Sequence, residues 1–275
     1  MDRYAVAGNP VAHSKSPQIH AMFAAECGQA MEYGRLLVPL DAFEITLQAF
    51  AASGAKGCNV TVPFKFEAFR LAHLRTQRAR LAQAANTLRF DPQGWFADNT
   101  DGIGLVRDIQ ARAGIDLAGR RVLLLGAGGA AAGVLGPLLE AKPAVVAVAN
   151  RTPARAQELV ARHQAWGAQH GAELHVVPLE APGSGFDVVI NATASSLQGA
   201  TVPVPGTVLG PGALAYDLMY GPAAQPFLQW AADRGALGLD GLGMLVEQAA
   251  ESFWLWRGVR PSTAPVLAAL RAQTA

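Results

Sequence analysis

Residues 121–140, RVLLLGAGGAAAGVLGPLLE, constrain this chain more than any other stretch. An apolar strand-like run ends on glycines, and a small-residue helix follows. Gly126, Gly128 and Ala131 fit the spacing G-x-G-x-x-G/A. In that pattern the first glycine permits a tight turn and the second lets the backbone approach a pyrophosphate. The third, small residue allows close packing of helix on strand, and the helix N-terminus offers unpaired N–H groups to the phosphates. The bland alternative is a small-residue helix packed on a sheet, but the strand in front and the further strand patterns downstream supply the context the fingerprint demands.

The next strand pattern, AVVAVAN (144–150), ends at Asn150. A unit that holds NAD usually carries an Asp or Glu there for the ribose 2′-hydroxyl. Here Arg151 follows at once and Arg155 comes four residues later. A missing acid with two guanidinium groups suits a 2′-phosphate, which accepts charge-assisted, bidentate hydrogen bonds. Two solvated arginines at a helix start are the other reading, one that the helix dipole opposes. The pattern therefore predicts NADP.

Short apolar runs alternate with helical patterns over nearly the whole chain, which reads as α/β. YAVAG (4–8), EYGRLLVPL and KGCNVTVP read as strands, and NTLRF and WFADNT read as a hairpin around DPQG. SPQIHAMFAAECG (16–28) reads as a helix with Ser16 as N-cap and Pro17 at its first position. DAFEITLQAFAASG (41–54) reads as another, with Asp41 and Glu44 at capping-box spacing. The apolar runs ELHVVPL, FDVVINAT and ALAYDLMY suit parallel strands covered on both faces. LGMLVEQAAESFWLWRGV (242–259) has long-helix periodicity and is too apolar to stand free, so it is expected to return to the first unit. Two α/β domains follow: a discontinuous one of residues 1–101 plus 242–275, and a dinucleotide-binding one of residues 102–241.

A chain of 275 residues that is 51% hydrophobic and 16% charged has material for a sizeable core. A net charge of +1 gives no argument for nucleic acid or an anionic membrane as partner. Cys27 and Cys58 form no CxxC, and the six histidines include no HxxxH, so no metal site is expected. Neither a signal peptide nor a run of about 20 apolar residues is visible. The expectation is a cytoplasmic protein that works on small molecules.

Chemistry-bearing residues cluster elsewhere. NVTVPFK (59–65) reads as the end of a strand, with Val60 and Val62 on its buried face, broken by Pro63 and followed by Lys65. The carboxyl ends of strands are where α/β folds place ligands. DNTDG (98–102) places Asp101 where the first unit hands over to the second, with Thr100 as a cap for the next helix. Hydride transfer at an alcohol or ketone needs a proton partner for the oxygen, which Lys65 with Asp101 can supply. In GNPVAHSKSP (8–17), Ser14 and Ser16 can hold a carboxylate with helix N–H groups. A solvated Lys65 and an N-capping Asp101 are the structural alternatives.

Together, GNPVAHSKSP, NVTVPFK, NTDG, GAGGA, NRTPARA, INAT, YDLMY and DGLGMLVEQA closely resemble the shikimate dehydrogenase family, in order and spacing, from residue 4 to about residue 270. The resemblance implies reversible NADPH-dependent reduction of 3-dehydroshikimate to shikimate, on the route to chorismate and the aromatic amino acids. It implies a substrate domain and a Rossmann-type domain with a parallel sheet, and Lys65 and Asp101 as the catalytic pair. It further implies that Ser14, Ser16, Thr61 and Tyr220 lie by the substrate carboxylate, and that Asn86 and Gln248 bind ring hydroxyls. For the cofactor it implies Gly126, Ala127, Gly128, Gly129 and Ala130, then Asn150, Arg151, Thr152 and Arg155, with Leu218 and Gly241 by the nicotinamide. Two departures from the family pattern are Ala194 and Ser196 in NATASS, and Gln225 where a threonine is common. The rival readings are a quinate/shikimate dehydrogenase using NAD and a non-catalytic NADP-binding sensor. A monomer or a homodimer is expected.

Overall fold

β1 (Asp2–Gly8) is the first strand of the computed structural model, which describes residues 1–193 and 204–273. After it come α1 (Ser16–Glu26), β2 (Met31–Leu37), α2 (Phe43–Ala52), β3 (Gly57–Val60), α3 (Lys65–Leu71), β4 (Leu74–Arg75), α4 (Gln77–Ala82), β5 (Thr87–Asp91), β6 (Gly94–Asp98) and α5 (Asp101–Asp108). The second stretch holds β7 (Arg121–Leu125), α6 (Gly129–Glu140), β8 (Val145–Ala149), α7 (Pro153–Gln169), β9 (Glu173–Val177), β10 (Phe186–Asn191), β11 (Leu209–Asp217), α8 (Gln225–Ala232) and β12 (Leu237–Leu239). α9 (Leu242–Arg257) and α10 (Ala264–Ala272) follow. The chain makes two units, Met1–Gly104 with Val246–Ala275, and Leu105–Leu245. No helix among the described residues is long and apolar enough to cross a membrane.

The first unit carries a mixed sheet in the order β2-β1-β3-β5-β6-β4. β1 is parallel to β2 and β3, whereas β5 is antiparallel to β3 and β6. The carboxyl ends of β1, β3 and β6 and the amino end of β5 therefore share one edge of the sheet. Phe43 and Phe64 stack at 4.7 Å in the core on one face. An aromatic cluster of His20, Phe23, Tyr33, Phe253 and Trp256 joins α1, β2 and α9.

The second unit carries a sheet in the order β12-β11-β10-β7-β8-β9, with every strand pair parallel. Its apolar strands are covered on both faces, as fully buried Leu123, Leu124, Val189 and Ile190 show. Strand order reverses between β7 and β10, the crevice where open sheets of this kind bind ligands.

Three expectations about α1, α2 and β3 differ from the structure. Ser16 is the first residue of α1 and not its N-cap; Ser14 Oγ instead accepts the Ser16 N–H at 3.3 Å. Asp41 caps nothing, because residues 39–42 make a turn closed by Ala42 N–H to Pro39 C=O, and α2 begins only at Phe43. Val62 is 59% exposed, since β3 stops at Val60 and Thr61 C=O accepts the Phe64 N–H in a turn. β4, α8, α10 and the π-helical turn Ile109–Ala113 are additions to the elements that the sequence pattern marks.

Candidate active site

The shared edge of the first sheet explains why separated motifs meet. Thr61 N–H bonds Ala7 C=O at 2.9 Å, and Asn9 N–H bonds Val62 C=O at 3.0 Å, so the segments after β1 and β3 lie side by side. Gly8 is required there: a Cβ on it would stand 2.4 Å from Thr61 Cγ2. Ser14 and Ser16 follow β1, and Arg35 of β2 ties their loop by donating to Ser14 C=O at 2.7 Å. Thr61 and Lys65 follow β3. Asn86 precedes β5, with Val60 N–H on its carbonyl at 2.8 Å, and Asp101 opens α5 just beyond β6.

Lys65 Nζ donates to Asp101 Oδ2 at 2.5 Å, with the lysine side chain 17% and the aspartate side chain 8% exposed. Asp101 Oδ1 accepts from Asn86 Nδ2 at 2.8 Å. Asn86 also reaches Gln248 Oε1 at 3.1 Å, which brings α9 to the pair. The amide of Asn86 has one possible orientation, because Thr100 N–H, which can only donate, bonds its Oδ1 at 2.8 Å. Both carboxylate oxygens of Asp101 thus accept from nitrogen donors.

The first unit therefore gathers Lys65, Asp101, Asn86 and Gln248, with Thr61 and the Ser14–Ser16 loop on the same edge. Tyr220 belongs to the second unit, where it flanks the 3-10 turn Gly221–Ala224; burial raises its phenol above the ordinary value. Thr100 gives its hydroxyl to the buried polar group around Asn86 and Gln248 and does not cap α5 with it. The motif signalled the importance of Asp101 but not that its neighbour's backbone N–H fixes Asn86. A further anchor carried no local signal. Asp98, at the end of β6, is held by Arg78 at 2.7 Å and 2.5 Å, and Arg78 also reaches Glu251 at 3.0 Å.

In the second unit the glycine turn stands at the strand reversal. Gly126 has φ +112°, and a Cβ there would be 3.0 Å from Ala192 C=O, the residue after β10. Gly128 precedes α6, whose first turn has no side-chain cap and no acid, and the space where a Cβ would stand is open. Such an uncapped helix start with open space could cradle a phosphate, with Ala127, Gly129 and Ala130 beside it. Asn150 Nδ2 bonds Thr152 C=O at 2.9 Å, turning the chain into α7. Arg151 and Arg155 are exposed, and neither side chain has an ion pair among the described residues. The residues present fit a dinucleotide with an extra phosphate.

Gly241 N–H bonds Met219 C=O at 2.8 Å, and a Cβ on Gly241 would lie 2.3 Å from Leu218 C=O. Leu218 and Gly241 are thus adjacent beyond β11 and β12. Arg112 supports them by donating to Asp240 C=O at 2.6 Å while bonded to Asp108. Ala194 and Ser196 lie outside the described residues; Gln225 opens α8, followed by Pro226.

Three family models match: the shikimate dehydrogenase substrate binding domain over residues 6–88, shikimate / quinate 5-dehydrogenase over 108–200, and the shikimate 5'-dehydrogenase C-terminal domain over 241–271. The shikimate dehydrogenase (NADP(+)) of Methylibium petroleiphilum is 66% identical, over 98% of this chain and 94% of its own length. The chain belongs to the shikimate dehydrogenase family. Another member, the shikimate dehydrogenase (NADP(+)) of Acidovorax sp., is 64% identical over 100% of this chain and 97% of its own. Among solved structures, an Ael1 enzyme from Pseudomonas putida superposes with TM-score 0.91 at 48% identity, covering 98% of both chains. Shikimate 5-dehydrogenase from Thermus thermophilus, in complex with NADP(H) and shikimate, gives TM-score 0.87 at 34% identity and 99% coverage of both. Shikimate dehydrogenases thus share the two-sheet α/β architecture seen here.

Proposed function

We propose that the chain reduces 3-dehydroshikimate to shikimate with NADPH, reversibly, and that Lys65 and Asp101 are its catalytic pair. The observation that carries the assignment of roles is the 2.5 Å Lys65–Asp101 contact beside Asn86. Bound NADPH supplies the hydride for the ketone carbon. Lys65 Nζ gives its proton to the ketone oxygen, so that C=O becomes CH–OH, and takes it back in the reverse direction. Asp101 orients the ammonium group and offsets its charge. Asn86 and Gln248 bind ring hydroxyls. Ser14, Ser16 and Thr61 hold the carboxylate, and the family resemblance assigns Tyr220 to substrate binding as well.

For the cofactor, residues 126–130 and the start of α6 would hold the pyrophosphate. Asn150, Arg151, Thr152 and Arg155 would hold the 2′-phosphate, and Leu218 and Gly241 would border the nicotinamide. The domains in this reading are residues 1–101 plus 242–275 for substrate and 102–241 for NADP. Two free thiols, Cys27 and Cys58, suit the reducing cytoplasm. The enzyme works on two small molecules, as a monomer or homodimer.

The test is NADPH oxidation on addition of 3-dehydroshikimate, run beside NADH and beside quinate with both oxidised cofactors. Turnover with 3-dehydroshikimate and NADPH well above the other pairs is expected. A preference for quinate with NAD would favour the rival within the same family, and no turnover at all would favour the sensor.

A further inference from the structure

Behind Asn86 lies a set of buried hydroxyls and amides that the reaction as described does not use. Ser252, on α9, is fully buried. Its Oγ is 2.8 Å from Thr87 Oγ1 and accepts from Asn59 Nδ2 at 3.0 Å. Tyr33 O–H bonds Asn59 Oδ1 at 2.7 Å.

The direction of each bond follows from groups that can act only one way. Asn59 Nδ2 bonds Asn86 C=O at 3.1 Å, and a carbonyl only accepts, so Asn59 Oδ1 faces Tyr33 and the phenol donates. Asn86 Oδ1 already receives Thr100 N–H and only accepts, so Thr87 O–H donates to it at 3.0 Å. With its own proton committed, Thr87 has only lone pairs to offer Ser252, whose single proton is shared between Thr87 Oγ1 at 2.8 Å and Gln248 C=O at 3.1 Å. Donors therefore run one way, from Tyr33 to Asn59, from Asn59 to Thr87 at 3.1 Å, from Thr87 to Asn86 and from Asn86 to Asp101, with Ser252 bonded to both Asn59 and Thr87 beside that line. Hydrogen bonds aligned in this manner polarise one another in a low dielectric.

We propose that Tyr33 and Ser252 are positioning residues, which act through Asn59 and Thr87 to hold the Asn86 amide with its NH₂ on Asp101 and Gln248. The consequence is that Asp101 Oδ1 is held by the amide while Oδ2 is left facing Lys65 Nζ. This rests on the reading of Lys65 and Asp101 as the catalytic pair.

Tyr33→Phe and Ser252→Ala each remove one hydroxyl and add no atom. Tyr33→Phe also keeps the ring that stacks on His20 at 4.2 Å. The measurements are kcat and KM for 3-dehydroshikimate, NADPH affinity by fluorescence, and Tm. The parent, both single variants, the double variant and Ser252→Thr are compared. Each single variant should lose kcat roughly 5- to 50-fold, the range for a buried polar group left without its partner. NADPH affinity should be unchanged, and Ser252→Thr should recover most of the loss. Because both hydroxyls serve one chain, the double variant should lose little more than either single one.

If Ser252→Ala does not fold, Tyr33→Phe alone decides. A kcat within about twofold of the parent, with only Tm lowered, would overturn the proposal. So would multiplicative losses in the double variant, or a parallel loss of NADPH affinity. An inactive parent would instead overturn the assigned reaction, so the two failures are distinguishable.

Discussion

Asn86 and Asp101 are joined by a 2.8 Å hydrogen bond on the carboxylate oxygen that Lys65 leaves free. An amide put in place of that carboxylate cannot satisfy both neighbours. Its NH₂ would face either the Asn86 NH₂ or the Lys65 ammonium, a donor against a donor. We expect Asp101→Asn to fold and to lose kcat about 10²-fold or more, the lower range for disabling acid–base machinery. Steady-state kinetics at saturating NADPH check this; a near-normal kcat would mean that Asp101 only fills space.

Ser14 lies on the loop after β1 that is tied to Arg35, and Ser16 opens α1, whereas Lys65 follows the neighbouring strand β3. A carboxylate remote from the reacting carbon is held alike in ground and transition states. Replacing both serines by alanine should therefore raise KM for 3-dehydroshikimate more than it lowers kcat. A pure loss of kcat with unchanged KM would contradict the placement.

Arg151 and Arg155 face solvent, and the two cofactors differ only by the 2′-phosphate. Each guanidinium can contribute a charge-assisted bond of about 1.5–3 kcal/mol, lowered by exposure. The parent should prefer NADP roughly ten- to a few hundred-fold. Removing both arginines should raise KM for NADP and leave that for NAD nearly unchanged. Equal use of both cofactors by the parent would contradict this reading of the loop.

Much of this site is legible in the sequence for a physical reason. Glycine turns, strand ends and helix starts are local patterns, and Gly126, Lys65 and Asp101 all sit on them. Gly241 can be named from its motif, but why it must be glycine, the Leu218 carbonyl 2.3 Å from a would-be Cβ, is a tertiary fact. The same holds for Arg78, which meets Asp98 and Glu251 only after β6 and α9 pack together. Helix caps misled because Ser14 and a turn at 39–42 took the roles that spacing assigned to Ser16 and Asp41.

The Arg78 anchor itself predicts a stability effect. Asp98 is 1% exposed and takes its cation from Arg78, so Arg78→Met leaves that buried carboxylate without it, while Glu251 keeps Arg260. Breaking such a pair from one side costs about 3–5 kcal/mol. Urea unfolding should show that loss; a change below about 1 kcal/mol would contradict the anchor.

Stability should also fall on acidification. Burial pushes His20 down to about 3 and His163 to about 4, from an ordinary value of 6.5. Below pH 6.5 the unfolded chain binds protons that the folded chain refuses, so folding weakens as pH drops. The His163 contribution is spent near pH 4 and that of His20 near pH 3. Each adds a slope of up to about 1.4 kcal/mol per pH unit in its window. Unfolding free energies between neutral pH and mild acid should be flatter for His20→Phe than for the parent. Identical slopes would contradict a neutral buried His20.

The central claim is that Lys65 passes the proton while other groups bind. Its most direct test is kcat for 3-dehydroshikimate reduction at saturating substrate and NADPH, for the parent and for Lys65→Ala. The account predicts a fall of about 10²–10⁴-fold with KM little changed. A Lys65→Ala enzyme that keeps near-parent kcat would contradict it.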